Sequence, residues 1–124
     1  MSPSLTAEQL ATYAATMRRR AADDAQRLRE RRDAAWKLAQ QAADLLRAHY
    51  GATLVLVFGS LAEGTHFGAH SDIDLAARGL RPSDHYATLG RLLALSPDFE
   101  FDLVDLDTCP AGLRSALLIG GVPL

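Results

Sequence analysis

The sequence contains few of the residues on which several classes of protein depend. Cys109 is the only cysteine among 124 residues, so no disulfide can form within the chain and a cysteine-rich metal site is excluded. No stretch approaches the ~18 apolar residues of a membrane span, and the first ten residues lack the basic and apolar segments of a secretion signal. We therefore expect a cytoplasmic protein that neither spans a membrane nor is secreted.

A surplus of positive charge is also missing. The chain has 13 basic and 15 acidic residues and a formal net charge of -2, so its overall charge does not favour nucleic acid as a direct partner. The basic residues concentrate between Arg18 and Lys37, where acidic residues are interleaved with them. Such a mixed run is typical of a solvated helix face, and a face that docks a partner is the alternative.

Proline and glycine are both absent between Thr6 and Tyr50, and alanine is abundant there. Thr6 and Gln9 have the spacing of a capping box, and Gly51 is placed to end a helix. This whole segment is therefore predicted to be helical.

The apolar stripe of the helical segment is interrupted at Asp24 and Arg31. We therefore predict two parts. A charged helical extension at residues 1–33 projects or folds back, and a second helical part packs on the core of a domain at residues 34–124. The side chains expected to make that packing contact are Trp36, Leu38, Ala42, Leu45 and Leu46.

Three later segments have the pattern of strands and two have the pattern of helices. The predicted strands are Thr53–Phe58, Ser71–Ala77 and Phe99–Leu106. A helix is predicted at Ser83–Leu95, and a short one ends near Leu118. The resulting order, α-α-β-turn-β-α-β-α, is that of one compact α/β domain.

The stretch FGSLAEGTHFGAHSDIDL, residues 58–75, contains two aspartates one residue apart. Side chains two apart on a strand point the same way, so Asp72 and Asp74 would place two carboxylates side by side. Such a pair repels itself unless a positive charge lies near it, and oxygen ligands favour Mg²⁺ or Mn²⁺. The alternative is that both aspartates face water at a sheet edge.

The turn before this pair has features of an anion site. Gly59 directly follows the first predicted strand and Gly64 comes shortly after, which leaves room for a ligand close to the backbone, and Ser60 offers a hydroxyl group. A phosphate beside Mg²⁺ indicates a nucleotide. The turn matches neither the P-loop nor the dinucleotide fingerprint.

A third carboxylate is needed to hold two metal ions and to take the proton from an incoming hydroxyl. The last predicted strand offers Glu100, Asp102 and Asp105. Alternation places Asp102 and Glu100 on the polar face, opposite an apolar face that includes Phe101. We prefer Asp102 because it lies mid-strand, and we interpret Asp105 as a strand-end residue.

These motifs resemble the DNA polymerase β-like nucleotidyltransferase superfamily. The resemblance rests on Gly59–Gly64, on Ser71–Leu75 and on Phe101–Leu106, and it covers roughly Ala34 to the C-terminus. The small size is similar to that of the minimal nucleotidyltransferases, which lack a separate base-reading domain and commonly act as antitoxins of HEPN ribonuclease toxins.

The resemblance implies a fold and an activity. The fold would be α/β, polymerase β-like, with a short mixed sheet, helices packed on one face and a long N-terminal helix. The activity would be transfer of AMP from ATP to a tyrosine of a HEPN toxin, with two Mg²⁺ ions, or Mn²⁺ in their place. The implied metal-binding and catalytic residues are Asp72, Asp74 and Asp102, and the implied nucleotide-binding residues are Gly59, Ser60, Gly64 and Ser71.

The chain departs from the family pattern in two places. Glu63 stands where the family often has arginine, which removes a positive charge near the phosphates, and the charged extension is additional. Two other functions stay open: a small nucleotidyltransferase acting on a nucleic-acid end or a small molecule, and a non-catalytic antitoxin that binds its toxin through the N-terminal helix. His66 and His70 are close enough in sequence to touch a nucleotide, although solvated loop histidines are the commoner case.

Overall fold

The computed structural model describes residues 4–124, so residues 1–3 of the predicted extension lie outside the described residues. Within this described part, four α-helices, one 3₁₀ turn and four strands follow one another. Their bounds are α1 Ala7–Tyr50, β1 Leu54–Phe58, α2 Gly59–Glu63, β2 Ile73–Arg78, the 3₁₀ turn Pro82–Asp84, α3 His85–Leu93, β3 Phe101–Asp105, α4 Ala111–Gly120 and β4 Val122–Pro123.

The four strands form one mixed sheet in the order β3-β2-β1-β4. Strand β1 is antiparallel to both β2 and β4, whereas β2 and β3 are parallel and are joined through α3. In this register Asp74 lies between Phe58 on one side and Asp102 on the other. The predicted mixed sheet is confirmed, and its parallel pair brings two of the aspartates together.

Helix α1 is a single helix of 44 residues, roughly 66 Å long at 1.5 Å per residue. The predicted capping box is present, because the Thr6 hydroxyl accepts from the Gln9 N–H and the Gln9 side chain accepts from the Thr6 N–H. Gly51 ends the helix with a φ of 74°. The prediction that this segment divides into two helices was wrong, since an interrupted apolar stripe does not stop a helix that lacks proline and glycine.

Helices cover both faces of the sheet, whereas the sequence predicted helices packed on one face only. On one face α1 contributes four fully buried alanines and Leu46, together with Leu61 of α2 and Leu92 of α3. The side chains predicted to pack here, Trp36, Leu38, Ala42, Leu45 and Leu46, all belong to this core. Because the buried positions of α1 are mostly alanine, the helix axis can lie close to the sheet.

The opposite face carries the fourth helix. Leu117 of α4 packs with Leu56 and Ala76, which alternate with the residues that face α1. The chain then turns directly into β4, which pairs with β1. Sequence patterns missed β4 because it has two residues and one of them, Pro123, cannot donate to the ladder.

The loop before β2 is longer than predicted, and the Gly-rich turn after β1 is itself helical. Ser71 and Asp72 precede the strand, because the Ser71 hydroxyl accepts from the Gly68 N–H at 2.8 Å and closes a turn there. Over residues 4–124, no helix combines the length and apolar character needed to cross a bilayer.

Candidate active site

Asp74 and Gly59 form the centre of the site, where the end of β1 meets the start of β2. Asp74 is half-buried, and Gly59 has a φ of 69°. A Cβ atom at Gly59 would overlap the Asp74 carboxylate oxygen. The position therefore requires glycine for two reasons: its backbone is left-handed, and the Asp74 carboxylate occupies the space that a Cβ would need.

Three carboxylates share this end of the sheet. Asp102 is the direct register partner of Asp74 on β3, and Asp72 precedes β2 by one residue. Burial, with smaller contributions from the negative charges of Asp102 and then Asp72, raises the pKa of Asp74 from 3.8 to about 6. The like charges thus lie close enough to disfavour the ionised form of the central carboxyl.

The donor set fits a hard divalent cation. A positive charge among the three carboxylates would offset their repulsion, and all of their donor atoms are the oxygens that Mg²⁺ and Mn²⁺ prefer. Among residues 4–124, no three histidine, cysteine, aspartate or glutamate side chains are arranged as a complete metal-binding group. Mg²⁺ in nucleotide sites is typically held by one or two carboxylates, with phosphate and water oxygens as further ligands.

Helix α2 brings the predicted phosphate turn to the same place. It begins at Gly59, directly beside Asp74, and its N-terminus has no side-chain cap. Gly64 caps its other end with a φ of 77°, and Glu63 is exposed there. The uncapped end, which includes Gly59 and Ser60, presents backbone N–H groups that an anion can accept from.

Two further carboxylates considered from the sequence are not paired with Asp74 in the sheet. Glu100 is exposed and precedes β3, and Asp105 ends β3, where its carboxylate accepts from the Asp107 N–H at 2.9 Å. Phe99, Phe101 and Leu103 are buried on the face that packs against α1. Asp102 is therefore the β3 carboxylate that lies next to Asp74.

A polar cavity of about 390 Å³ opens beside Asp72, one of the three carboxylates. Asp72 and Glu100 lie in its wall together with the exposed His70, whereas His66 does not line it. The complete lining is Arg31, Ala69, His70, Asp72, Pro97, Asp98, Phe99 and Glu100. The site therefore has room next to Asp72 for part of a substrate.

Sequence reasoning missed two arginines from the segment that was assigned to the extension. Arg31 lines the cavity, and Arg32 packs its guanidinium against Gly64 at the end of α2. Both are half-buried, in contrast to the exposed residues that precede them in α1. The signal was present as a charged residue, Arg31, in the apolar stripe of the helix, but we interpreted it only as an interruption.

Comparison with known proteins assigns the fold to one family. Residues 40–124 match the family described as polymerase beta nucleotidyltransferase. The chain belongs to that family. The predicted resemblance and the predicted fold class are both confirmed, while residues before 40 lie outside the matched region.

Solved structures agree with the family assignment. A chain of a toxin–antitoxin complex with AMP-PNP is 27% identical over 68% of this chain and 70% of that one, with a TM-score of 0.60. A protein described as a minimal nucleotidyltransferase is 31% identical over 82% of this chain and 96% of that one, with a TM-score of 0.50.

A further structure shares the fold at lower identity. It is a chain of a complex of a tri-AMPylated Shewanella oneidensis HEPN toxin with an MNT antitoxin, 22% identical over 72% of this chain and 70% of that one, with a TM-score of 0.56. Among curated proteins, none matches this chain.

Proposed function

We propose that this protein is a Mg²⁺-dependent nucleotidyltransferase that transfers AMP from ATP to a tyrosine hydroxyl of a HEPN ribonuclease toxin, and that it acts in the cytoplasm as the antitoxin. The observation that carries the proposal is the placement of Asp74 between Gly59 and Asp102. This placement puts a group of carboxylates directly beside the start of the Gly-rich helix. A complex containing AMP-PNP and one containing an AMPylated toxin are among the similar structures, which supports a nucleotide and a toxin as the substrates.

Each predicted residue has a role in this proposal. Gly59, Ser60 and Gly64 shape and line the turn that accepts the triphosphate, and Ser71 closes the loop that carries Asp72. Asp72, Asp74 and Asp102 would hold two Mg²⁺ ions, which, when bound, stabilise the negative charge that develops at the α-phosphate. Mn²⁺ could take the place of Mg²⁺.

The transfer itself requires one base. Asp102 is the exposed member of the group and faces solvent, so an incoming tyrosine can reach it. Asp102 takes the hydroxyl proton while the tyrosine oxygen forms a bond to the α-phosphorus. The bond from the α-phosphorus to the bridging oxygen breaks, and pyrophosphate leaves with the electron pair.

Mass spectrometry of the acceptor tests this function. A candidate HEPN acceptor protein is incubated with the protein, ATP and Mg²⁺, and an added mass of about 329 Da per transferred AMP is expected. The double variant Asp72→Asn with Asp74→Asn should add none, whereas Asp44→Asn, on the outer face of α1, should behave as the unchanged protein. Equal modification by the double variant would contradict the proposed site.

A second function is favoured by the exposed part of α1. Leu10, Tyr13 and Met17 are 50%, 61% and 44% exposed, on the part of α1 that lies before its contacts with the domain. These side chains could dock a toxin without any chemistry, which would make the protein a steric antitoxin. Retained protection by the Asp72→Asn/Asp74→Asn variant would favour that function, and its loss would favour AMP transfer.

A further inference from the structure

The Arg31 side chain connects α1 to the two loops that lead into the carboxylate strands. Its guanidinium donates to the carbonyl oxygens of Gly68 at 3.3 Å, Ser71 at 3.2 Å and Asp98 at 3.2 Å. Gly68 and Ser71 belong to the loop before β2, and Asp98 belongs to the loop before β3. One side chain thus bonds both loops at once.

Two aromatic rings hold the guanidinium in place. Arg31 lies over the Phe99 ring at 4.1 Å from the ring centre, and the Phe67 ring is 6.0 Å away. Both rings are buried, and each belongs to one of the two loops. Stacking on an aromatic face suits the planar guanidinium, whose several N–H donors can serve separate carbonyls in a way that lysine cannot reproduce.

The bonded carbonyls lie next to the predicted metal ligands. Ser71 directly precedes Asp72, and the Ile73 N–H donates to the Glu100 carbonyl at 3.0 Å, which joins the starts of β2 and β3. Asp72 itself lies outside the strand, so the sheet ladder does not fix its backbone. The Ser71 carbonyl is therefore a point at which the position of the Asp72 carboxylate is set.

We propose that Arg31 is a positioning residue for the metal site: it clamps the loop before β2 against the loop before β3, so that Asp72 is held beside Asp74 and Asp102. The proposal rests on the function proposed above. It adds a residue that lies before position 40 and so outside the matched family region. The long helix therefore takes part in the site as well as projecting from it.

Binding of Mn²⁺ tests the clamp without any acceptor. Free Mn²⁺ is measured by electron paramagnetic resonance during titration of the unchanged protein, Arg31→Ala and Arg31→Lys. Groups that orient metal ligands typically contribute 10- to 100-fold in affinity, so Arg31→Ala should weaken Mn²⁺ binding about tenfold and Arg31→Lys should be intermediate. Arg27→Ala, one turn earlier with an exposed ion pair to Asp24, is the matched control and should bind as the unchanged protein does.

Chemical rescue separates positioning from general damage to the fold. Added guanidinium should restore much of the Mn²⁺ affinity of Arg31→Ala, because it can occupy the space over Phe99 and bond the same carbonyls. It should not restore Asp72→Asn, which lacks the ligand. If Arg31→Ala does not fold, as judged by circular dichroism, Arg31→Lys decides the question, and its affinity equal to that of the unchanged protein would overturn the proposal.

The outcomes distinguish this proposal from the proposed function. Mn²⁺ binding that depends on Arg31, in a protein that modifies no acceptor, would support the clamp and contradict AMP transfer. If Arg31→Ala binds Mn²⁺ as tightly as the unchanged protein and still transfers AMP, the result would support AMP transfer and overturn the clamp. No Mn²⁺ binding by the unchanged protein would overturn both.

Discussion

The two parts of α1 are built from similar residues but differ in what stabilises them. Residues 7–30 are almost wholly exposed, whereas residues 31–50 include five fully buried positions against the sheet. The first part has only its end cap, its alanines and its continuity with the second part to stabilise it. The continuity matters most, because an isolated helix is only marginally stable in water. The second part is stabilised by packing. One unbroken helix can therefore contain both an exposed arm, residues 7–30, and a segment that forms part of the core, residues 31–50.

Truncation of one leucine in each part should give the largest difference. Leu46 is fully buried and Leu10 is 50% exposed. Leu46→Ala should lower the free energy of unfolding by about 3 kcal/mol because it leaves a cavity, and Leu10→Ala should change it by less than about 0.5 kcal/mol. Urea unfolding followed by the fluorescence of Trp36, the only tryptophan, measures both. Similar losses would show that the arm packs against the domain.

Two truncations test where the arm ends. Removing residues 1–23 leaves Arg31 two turns inside the helix, so Mn²⁺ affinity should not change. Removing residues 1–33 also removes Arg31 and Arg32 and should weaken Mn²⁺ binding about tenfold. Titration of both proteins checks this. Equal Mn²⁺ affinities of the two truncated proteins would support the predicted domain boundary at residue 33. That boundary stays a prediction, and the hydrogen bonds of Arg31 extend across it.

The ionised carboxylate of Asp74 should lower the stability of the protein at neutral pH. Asp74 has a pKa of about 6 when folded and 3.8 as its ordinary value, so the native state binds more protons between these pH values and stability falls as the pH rises through them. Asp74→Asn should therefore raise the free energy of unfolding at pH 7 by about 1 kcal/mol, after allowance for solvent screening. Below about pH 4 the gain should vanish.

Unfolding curves at several pH values measure this effect, with Asp44→Asn as the control on the outer face of α1. A gain that stays constant with pH would mean that the substitution acts through packing and that the carboxyl is not strained.

The smallest effect is expected at the free end of the arm. Thr6→Ala removes the hydroxyl that accepts from the Gln9 N–H. The free energy needed to unfold the first turn should fall by about 1 kcal/mol, so that turn should fray more. The melting temperature of the domain should not move, because the first turn unfolds separately. Hydrogen exchange of residues 7–12 measures the fraying. A lower melting temperature would indicate that the arm and the domain unfold together.

The elements that the sequence predicted well are those with local signals. The capping box at Thr6, the buried runs of the three main strands and the packing of Leu46 follow from residue type and spacing. The position of Asp74 next to Asp102 required the parallel register of β2 and β3, for which only the family resemblance gave an indication. A register between distant strands is set by packing and is not read from either strand alone.

The elements that the sequence did not predict depend on contacts across the fold. Arg31 looked like an interruption of an apolar stripe because its partners are carbonyls some 40 residues away, and carbonyls have no signature in a sequence. Strand β4 forms only because α4 delivers two residues to β1. The short helix α2 has five residues, too few for a helical period to be recognised.

The unbroken course of α1 has a consequence for how such a protein can change. A helix advances 1.5 Å and turns 100° with each residue, so one deletion between residues 12 and 28 would rotate every side chain before it relative to the carboxylates. The rest of the chain would keep its sequence and its chemistry. The length of the arm therefore sets both the distance and the orientation of a partner bound near Leu10 relative to the carboxylates. Both can change without any substitution in the site.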